Sequence, residues 1–151
     1  MTDHLHDAIA AHLDRQAVVD LTIAYTWALD RHEFELLRDV FLPDATARLG
    51  GTEHDGIESI IGRISGALGP LDDSQHIISN HQVAIDGDTA RSRCYLHAQH
   101  VRAAADGSPN FIVAGRYEDD LVRTPAGWRI KRRVLTTMWT EGNLAVVGRL
   151  R

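Results

Sequence analysis

The chain has 151 residues, of which 44% are hydrophobic and 25% charged, with a formal net charge of −5. That size and composition specify one folded unit with a packed core and argue against a disordered chain. The acidic balance excludes the basic face of a nucleic-acid binder, no segment approaches the roughly 18 apolar residues of a membrane span, and Cys94, the only cysteine, excludes an intrachain disulfide.

The N-terminus is polar and lacks the apolar centre of a signal peptide. A soluble, cytoplasmic protein is therefore expected. Val18, Val19, Leu21, Thr22, Tyr25 and Leu29 recur at helical spacing and predict a helix from Asp14 to Leu29. Asp30, followed three residues later by Glu33, reads as an N-cap with its capping-box acid. It would open a second helix through Phe34, Leu37 and Val40, stopped at Leu42-Pro43-Asp44. Ala45 to Leu49 reads as a short strand ended by Gly50-Gly51. Ile57, Ile60, Ile61, Ile64 and Leu68 share one face of a third helix, which Gly69-Pro70 ends.

The second half alternates at strand period. Gln75 to Ile85 is extended, Asp86-Gly87-Asp88 is a tight hairpin turn, and Thr89 to Ala103 returns. Phe111 to Arg123 and Trp128 to Trp139 form two more strands, joined by a turn at Thr124-Pro125-Ala126-Gly127. Strict alternation along the last strand puts Arg129, Lys131, Arg133, Leu135, Thr137 and Trp139 on one face. Helices first and long antiparallel strands after them define an α+β fold, with the helices on one side of a curved sheet. A concave apolar cavity between the two layers is the default small-molecule site.

Three groups of residues carry a family resemblance: Ala17 to Asp30 with Asp39 to Ala45, then Gln75 to Asn80 ahead of the Asp-Gly-Asp turn, then Gly115 to Arg123 with Gly127 to Ile130. In order and spacing they resemble the SnoaL-like and scytalone-dehydratase-like proteins of the nuclear-transport-factor-2-like (NTF2-like) superfamily, over nearly the whole chain. The resemblance implies a single domain over residues 1–151 with a cone-shaped fold. N-terminal helices would pack on a strongly curved, mainly antiparallel sheet enclosing a pocket. Eliminating members of that superfamily carry a Tyr and an Asp on the first helix, a His on the first long strand and an Arg on the last. Carried over, these are Tyr25, Asp30, His76 and Arg133. The second pocket histidine of scytalone dehydratase is matched here only by His97 or His100, and the dehydrochlorinase lysine on the first helix has no match.

The chemistry follows from the residue types. A β-elimination needs a base beside an activated carbon, and an imidazole with an ordinary pKa of about 6.5 suits it. A carboxylate on one ring nitrogen fixes the tautomer and stabilises the imidazolium. Tyr25 could donate its hydroxyl to a carbonyl or leaving group. An inward Arg133 could bind an anion, or instead pair with Glu118 or Asp120 on the neighbouring strand. Trp27, Leu49, Ile61, Asn80, His97, Phe111, Met138 and Trp139 are the expected pocket lining. The histidines show no zinc-type spacing, so neither metal nor organic cofactor is expected.

The resemblance implies a cofactor-independent lyase of dehydratase type acting on a small apolar or cyclic molecule. An isomerase or polyketide cyclase would use the same proton shuttle. A non-catalytic ligand-binding domain and the small subunit of a ring-hydroxylating dioxygenase are the readings from other classes. A homo-oligomer, trimer or dimer, is expected from the broad outer sheet face and from the resembling proteins.

Overall fold

A computed structural model of the chain describes residues 2–148. The first helix, α1 (Thr2–Asp30), is about three turns longer at its start than the apolar spacing predicts. Its opening residues, Ala8, Ala10 and Ala11 among them, are helix formers without a buried face: Leu5, Ile9 and Leu13 are all exposed. Burial starts at Val18 and continues through Thr22, Tyr25, Ala28 and Leu29, one stripe laid on the sheet.

Asp30 is the last residue of α1, which corrects its reading as an N-cap. His32 takes a left-handed conformation (φ 55°), and the Glu33 and His32 amides donate to the carbonyls of Ala28 and Leu29. These six-to-one and five-to-two bonds form a Schellman C-cap, so the Asp-Arg-His-Glu run closes a helix instead of opening one. The next element is a 3₁₀ turn, Phe34–Asp39.

Strand β1 (Phe41–Leu49) starts earlier than predicted and runs straight through Pro43. A turn at Gly50-Gly51 leads to β2 (Thr52–Asp55), then to α2 (Ile57–Leu68). Four long strands follow: β3 (Asp73–Asp86), β4 (Thr89–Val101), β5 (Asn110–Thr124) and β6 (Gly127–Gly142). A last 3₁₀ turn is Leu144–Val147. The sheet order is β2-β1-β6-β5-β4-β3, and only the β1–β6 pair is parallel. Both helices lie on its inner face, whose alternate residues (Ala90, Cys94, Leu96 and Ala98 on β4) form the core with α1 and α2.

Irregularities in the ladder decide which side chains look inward. In β6, Leu121 pairs with Ile130 but Asp120 pairs with Arg132, so Lys131 is an extra residue. A second extra residue is Met138, between the pairs Gly115–Thr137 and Ala114–Trp139. Each extra residue swaps the face of everything after it. The inner face therefore reads Trp128, Ile130, then Arg133, Leu135, Thr137, and Trp139 turns outward. Gly115 allows the second irregularity, because a Cβ there would stand 2.4 Å from the Thr136 carbonyl oxygen. In β3, Asn80 and His81 together oppose a single residue, and Asn80 supplies the left-handed conformation (φ 57°) the bend needs. The outer face exposes Ile77, Tyr95, Met138 and Trp139.

No helix among the described residues is long and apolar enough to cross a membrane.

Candidate active site

A cavity of about 130 Å³ lies between α1, α2 and the inner face of the sheet. Its walls are mostly aliphatic: Leu29, Leu49, Ile64, Leu68, Leu96 and Leu135 contribute. The exposed lining residues, Gly50 and Thr137, mark its mouth, with half-buried Arg63 beside Gly50. Val147 belongs to the last 3₁₀ turn, so the C-terminal segment closes part of one side.

Among the polar groups on this wall is His76, from β3. Its side chain is 4% exposed and its ring faces the cavity because Ser74, His76 and Ile78 alternate onto the inner face. Asp30 approaches from behind, at the end of α1. The His76 Nδ1–H donates to Asp30 Oδ1 at 2.6 Å, and the His76 backbone N–H donates to Oδ2 at 2.9 Å. The Ser74 hydroxyl adds a third bond to Oδ1 at 2.9 Å. Burial raises the Asp30 carboxyl, but these three donors outweigh it and hold the pKa below the ordinary value. Asp30 is therefore a carboxylate near neutral pH. With Nδ1–H committed to it, the lone pair of His76 sits on Nε2, the nitrogen left for a ligand.

His100, from β4, is the second cavity histidine. Its ring meets that of His76 edge-on, 5.5 Å between centroids. Its Nδ1–H donates to the Phe111 carbonyl at 3.2 Å, and burial, with His76 alongside, pushes its pKa down to about 4. Below its unfolded value near 6.5 the unfolded chain takes up this proton first, so folding stability falls as pH drops toward 4. His100→Asn keeps a donor for the carbonyl and removes the titration. Urea unfolding should show the variant losing about 2 kcal/mol less stability than the parent between pH 7 and pH 4.5. Equal losses would contradict the assignment.

Tyr25 and Tyr117 add two phenols to the polar lining. Burial raises both phenols well clear of neutral pH, Tyr117 strongly, so both remain hydrogen-bond donors. Between them lies Arg133, fully buried, its guanidinium carbon 4.1 Å above the Tyr25 ring and 4.2 Å above that of Tyr117. Arg133 bonds Asp119 through Nε and Nη2, both at 2.7 Å. The extra residue Lys131 puts Arg133 opposite Asp119 on the inner face. That corrects the predicted partners, Glu118 and Asp120, which face outward.

The structure thus brings His76, Asp30 and Tyr25 to one place, with Arg133 behind the tyrosine and off the cavity surface. Leu49 lines the cavity. The other predicted lining residues do not. Trp27 is 63% exposed, because two residues along a helix from Tyr25 is about 200° of rotation. Ile61 is buried, but Ile64, Ala67 and Leu68 of the same helix meet the cavity instead. Asn80 is spent on the β3 bend. His97 alternates outward between Leu96 and Ala98 and packs on Trp139, which the second extra residue turned out. Met138 is that extra residue and is exposed. Phe111 is buried and touches the site through its carbonyl, which His100 holds. Sequence reasoning left His100 undecided against His97 and missed Ser74, Tyr117 and Arg63. Counting β4 residues inward from Leu96 would have separated the two histidines.

Helices facing a bent, mainly antiparallel sheet around a cavity make this an NTF2-like α+β cone. More narrowly, the chain belongs to the family of SnoaL-like domains, whose profile matches residues 10–134. An uncharacterised protein of Mycobacterium tuberculosis is 38% identical over 133 residues, covering 85% of this chain and 88% of the relative. The crystal structure of the Kfla4162 protein of Kribbella flavida is similar, with a TM-score of 0.81 at 28% identity over 87% of this chain and 95% of that one. A hexachlorocyclohexane dehydrochlorinase shares the fold at a TM-score of 0.75 and 16% identity, over 89% and 90% of the two chains. Family and fold together support a small-molecule catalytic or binding role.

Proposed function

We propose that the protein is a cofactor-independent lyase that removes a proton from a small cyclic or apolar substrate and expels water from it. The observation that carries this reading is the geometry of His76: one nitrogen tied to a carboxylate, the other facing an apolar cavity. His76 Nε2 takes the proton, and Asp30 stabilises the imidazolium that forms. Tyr25 and Tyr117, kept protonated, donate to the oxygen on which negative charge develops. The imidazolium can then return its proton to the departing hydroxyl. The dehydrochlorinase that shares the fold is named for an elimination of the same kind.

A second reading is an isomerase or cyclase. His100 favours it, since its proton is held on Nδ1 by a carbonyl and its Nε2 cannot protonate a leaving group near neutral pH. The outer sheet face, with Tyr95, Met138 and Trp139 exposed, gives the expected homo-oligomer an apolar surface to use.

The test is a screen of hydroxylated ketones, steroids and cyclic terpenoids in deuterated water, read for loss of water and for deuterium at carbon. For any compound turned over, His76→Gln should slow exchange by at least about a hundredfold. Deuterium uptake without dehydration selects the isomerase. A His76→Gln variant as fast as the parent would remove both readings.

A further inference from the structure

Arg63 is the one lysine or arginine on the cavity wall, and it has no hydrogen-bond or ion-pair partner among the described residues. It projects from α2 at the mouth, half-buried, with its guanidinium laid over the β1–β2 turn. A Cβ at Gly50 would stand 3.0 Å from Arg63 Nη2, so the glycine makes room for it. None of the neighbouring acids, Glu53, Asp55 and Glu58, is ion-paired with Arg63 among the described residues. Glu53 is held by Arg132 and Glu58 by Arg38. His54, on β2, is a neighbour that is neutral or cationic and so offers no negative charge. Burial and the nearby Arg63 lower its pKa, and its buried Nε2 has no partner.

Most arginines among the described residues are matched to acids or carbonyls; Arg15 and Arg102 also lack a side-chain partner, but only Arg63 does so on the cavity wall. On the rim of an apolar cavity, with water partly excluded, its attraction for an anion is stronger than at an open surface. Its fork geometry suits a carboxylate, which accepts two parallel N–H bonds. The rest of the cavity suits a ring. Its volume is close to that of an engineered protein cavity of about 150 Å³ that binds benzene.

We propose that Arg63 is a specificity-determining residue that binds the carboxylate of a single-ring carboxylic acid at the mouth, with the ring directed inward among Leu29, Leu96 and Leu135. This rests on the reading of the cavity as the ligand site, but not on His76 acting as the base. It narrows the substrate class to small aromatic or alicyclic acids, with the anionic end at the mouth and the reacting carbon inside.

The probes are benzoate and cyclohexanecarboxylate, each compared with its neutral amide, binding to the full chain by titration calorimetry. The parent protein should bind each acid at least about tenfold more tightly than its amide. Arg63→Met should bring the acid down to the level of the amide while changing the amide's affinity far less. Arg63→Lys, which keeps the charge but not the fork, should retain part of the preference. His76→Gln should keep the preference in full. A parent protein that binds acid and amide alike, or binds neither, overturns the proposal, as does an Arg63→Met variant that still prefers the acid. Retained acid preference together with undiminished proton exchange in His76→Gln would leave Arg63 standing and remove only the dyad.

Discussion

Asp119→Ala is expected to destabilise the protein by about 3–5 kcal/mol, measured by denaturant unfolding. Arg133 is 0% exposed and Asp119 4%, and two short bonds join them. One guanidinium nitrogen, Nη1, already lacks a partner. Removing the carboxylate would leave a full positive charge buried between two tyrosine rings with no acceptor at all. The cost comes from the stranded charge more than from the lost attraction. Accordingly, the double variant Asp119→Leu with Arg133→Met, apolar and of similar volume, should recover most of the loss. An Asp119→Ala protein within about 1 kcal/mol of the parent would refute this account. The pair also bears on the site: Arg133 packs on the Tyr25 and Tyr117 rings, so in the proposed reaction it would position the tyrosines and not itself bind an anion.

Asp30→Asn should lower the rate of proton transfer by about 10²–10⁴-fold while leaving the fold intact. The amide oxygen can still accept from the Ser74 hydroxyl or the His76 backbone, so the end of α1 stays attached to β3. What is lost is the negative charge beside Nδ1. The imidazolium that forms on taking a proton is then uncompensated, and the amide NH₂ can turn the ring into the tautomer with its proton on Nε2, which is no base. The effect should fall on the chemical step, so ligand affinity should change far less than turnover. Unchanged turnover in a folded Asp30→Asn protein would show that the carboxylate has only a structural role.

Much of the fold was legible because burial imposes simple periods. The Val18–Leu29 stripe, the Ile57–Leu68 face and the alternation of β4 each have one side on the core, and the residues say so. The end of α1 was misread because Asp30 and Glu33 have the spacing of a capping box, while the Schellman closure depends on His32 adopting a left-handed conformation that histidine does not announce. The pairing of Asp30 with His76 came from the resemblance; nothing local in either segment predicts a 2.6 Å contact between residues so far apart in sequence. Trp139 and Met138 were misplaced for a definite reason. A single extra residue in a strand has no marker of its own, and the Lys131 and Met138 irregularities show only in how β6 pairs with β5 across the sheet. Arg63 was invisible because an arginine on an amphipathic helix is ordinarily a solvated one.

The position of Val147 has a practical consequence. Its side chain, in the last 3₁₀ turn, lines the cavity. A reporter group attached to that turn would sit against the pocket wall and respond to an arriving ligand. Attached instead to the leading turns of α1, which make no buried contacts, the same group would lie clear of the pocket.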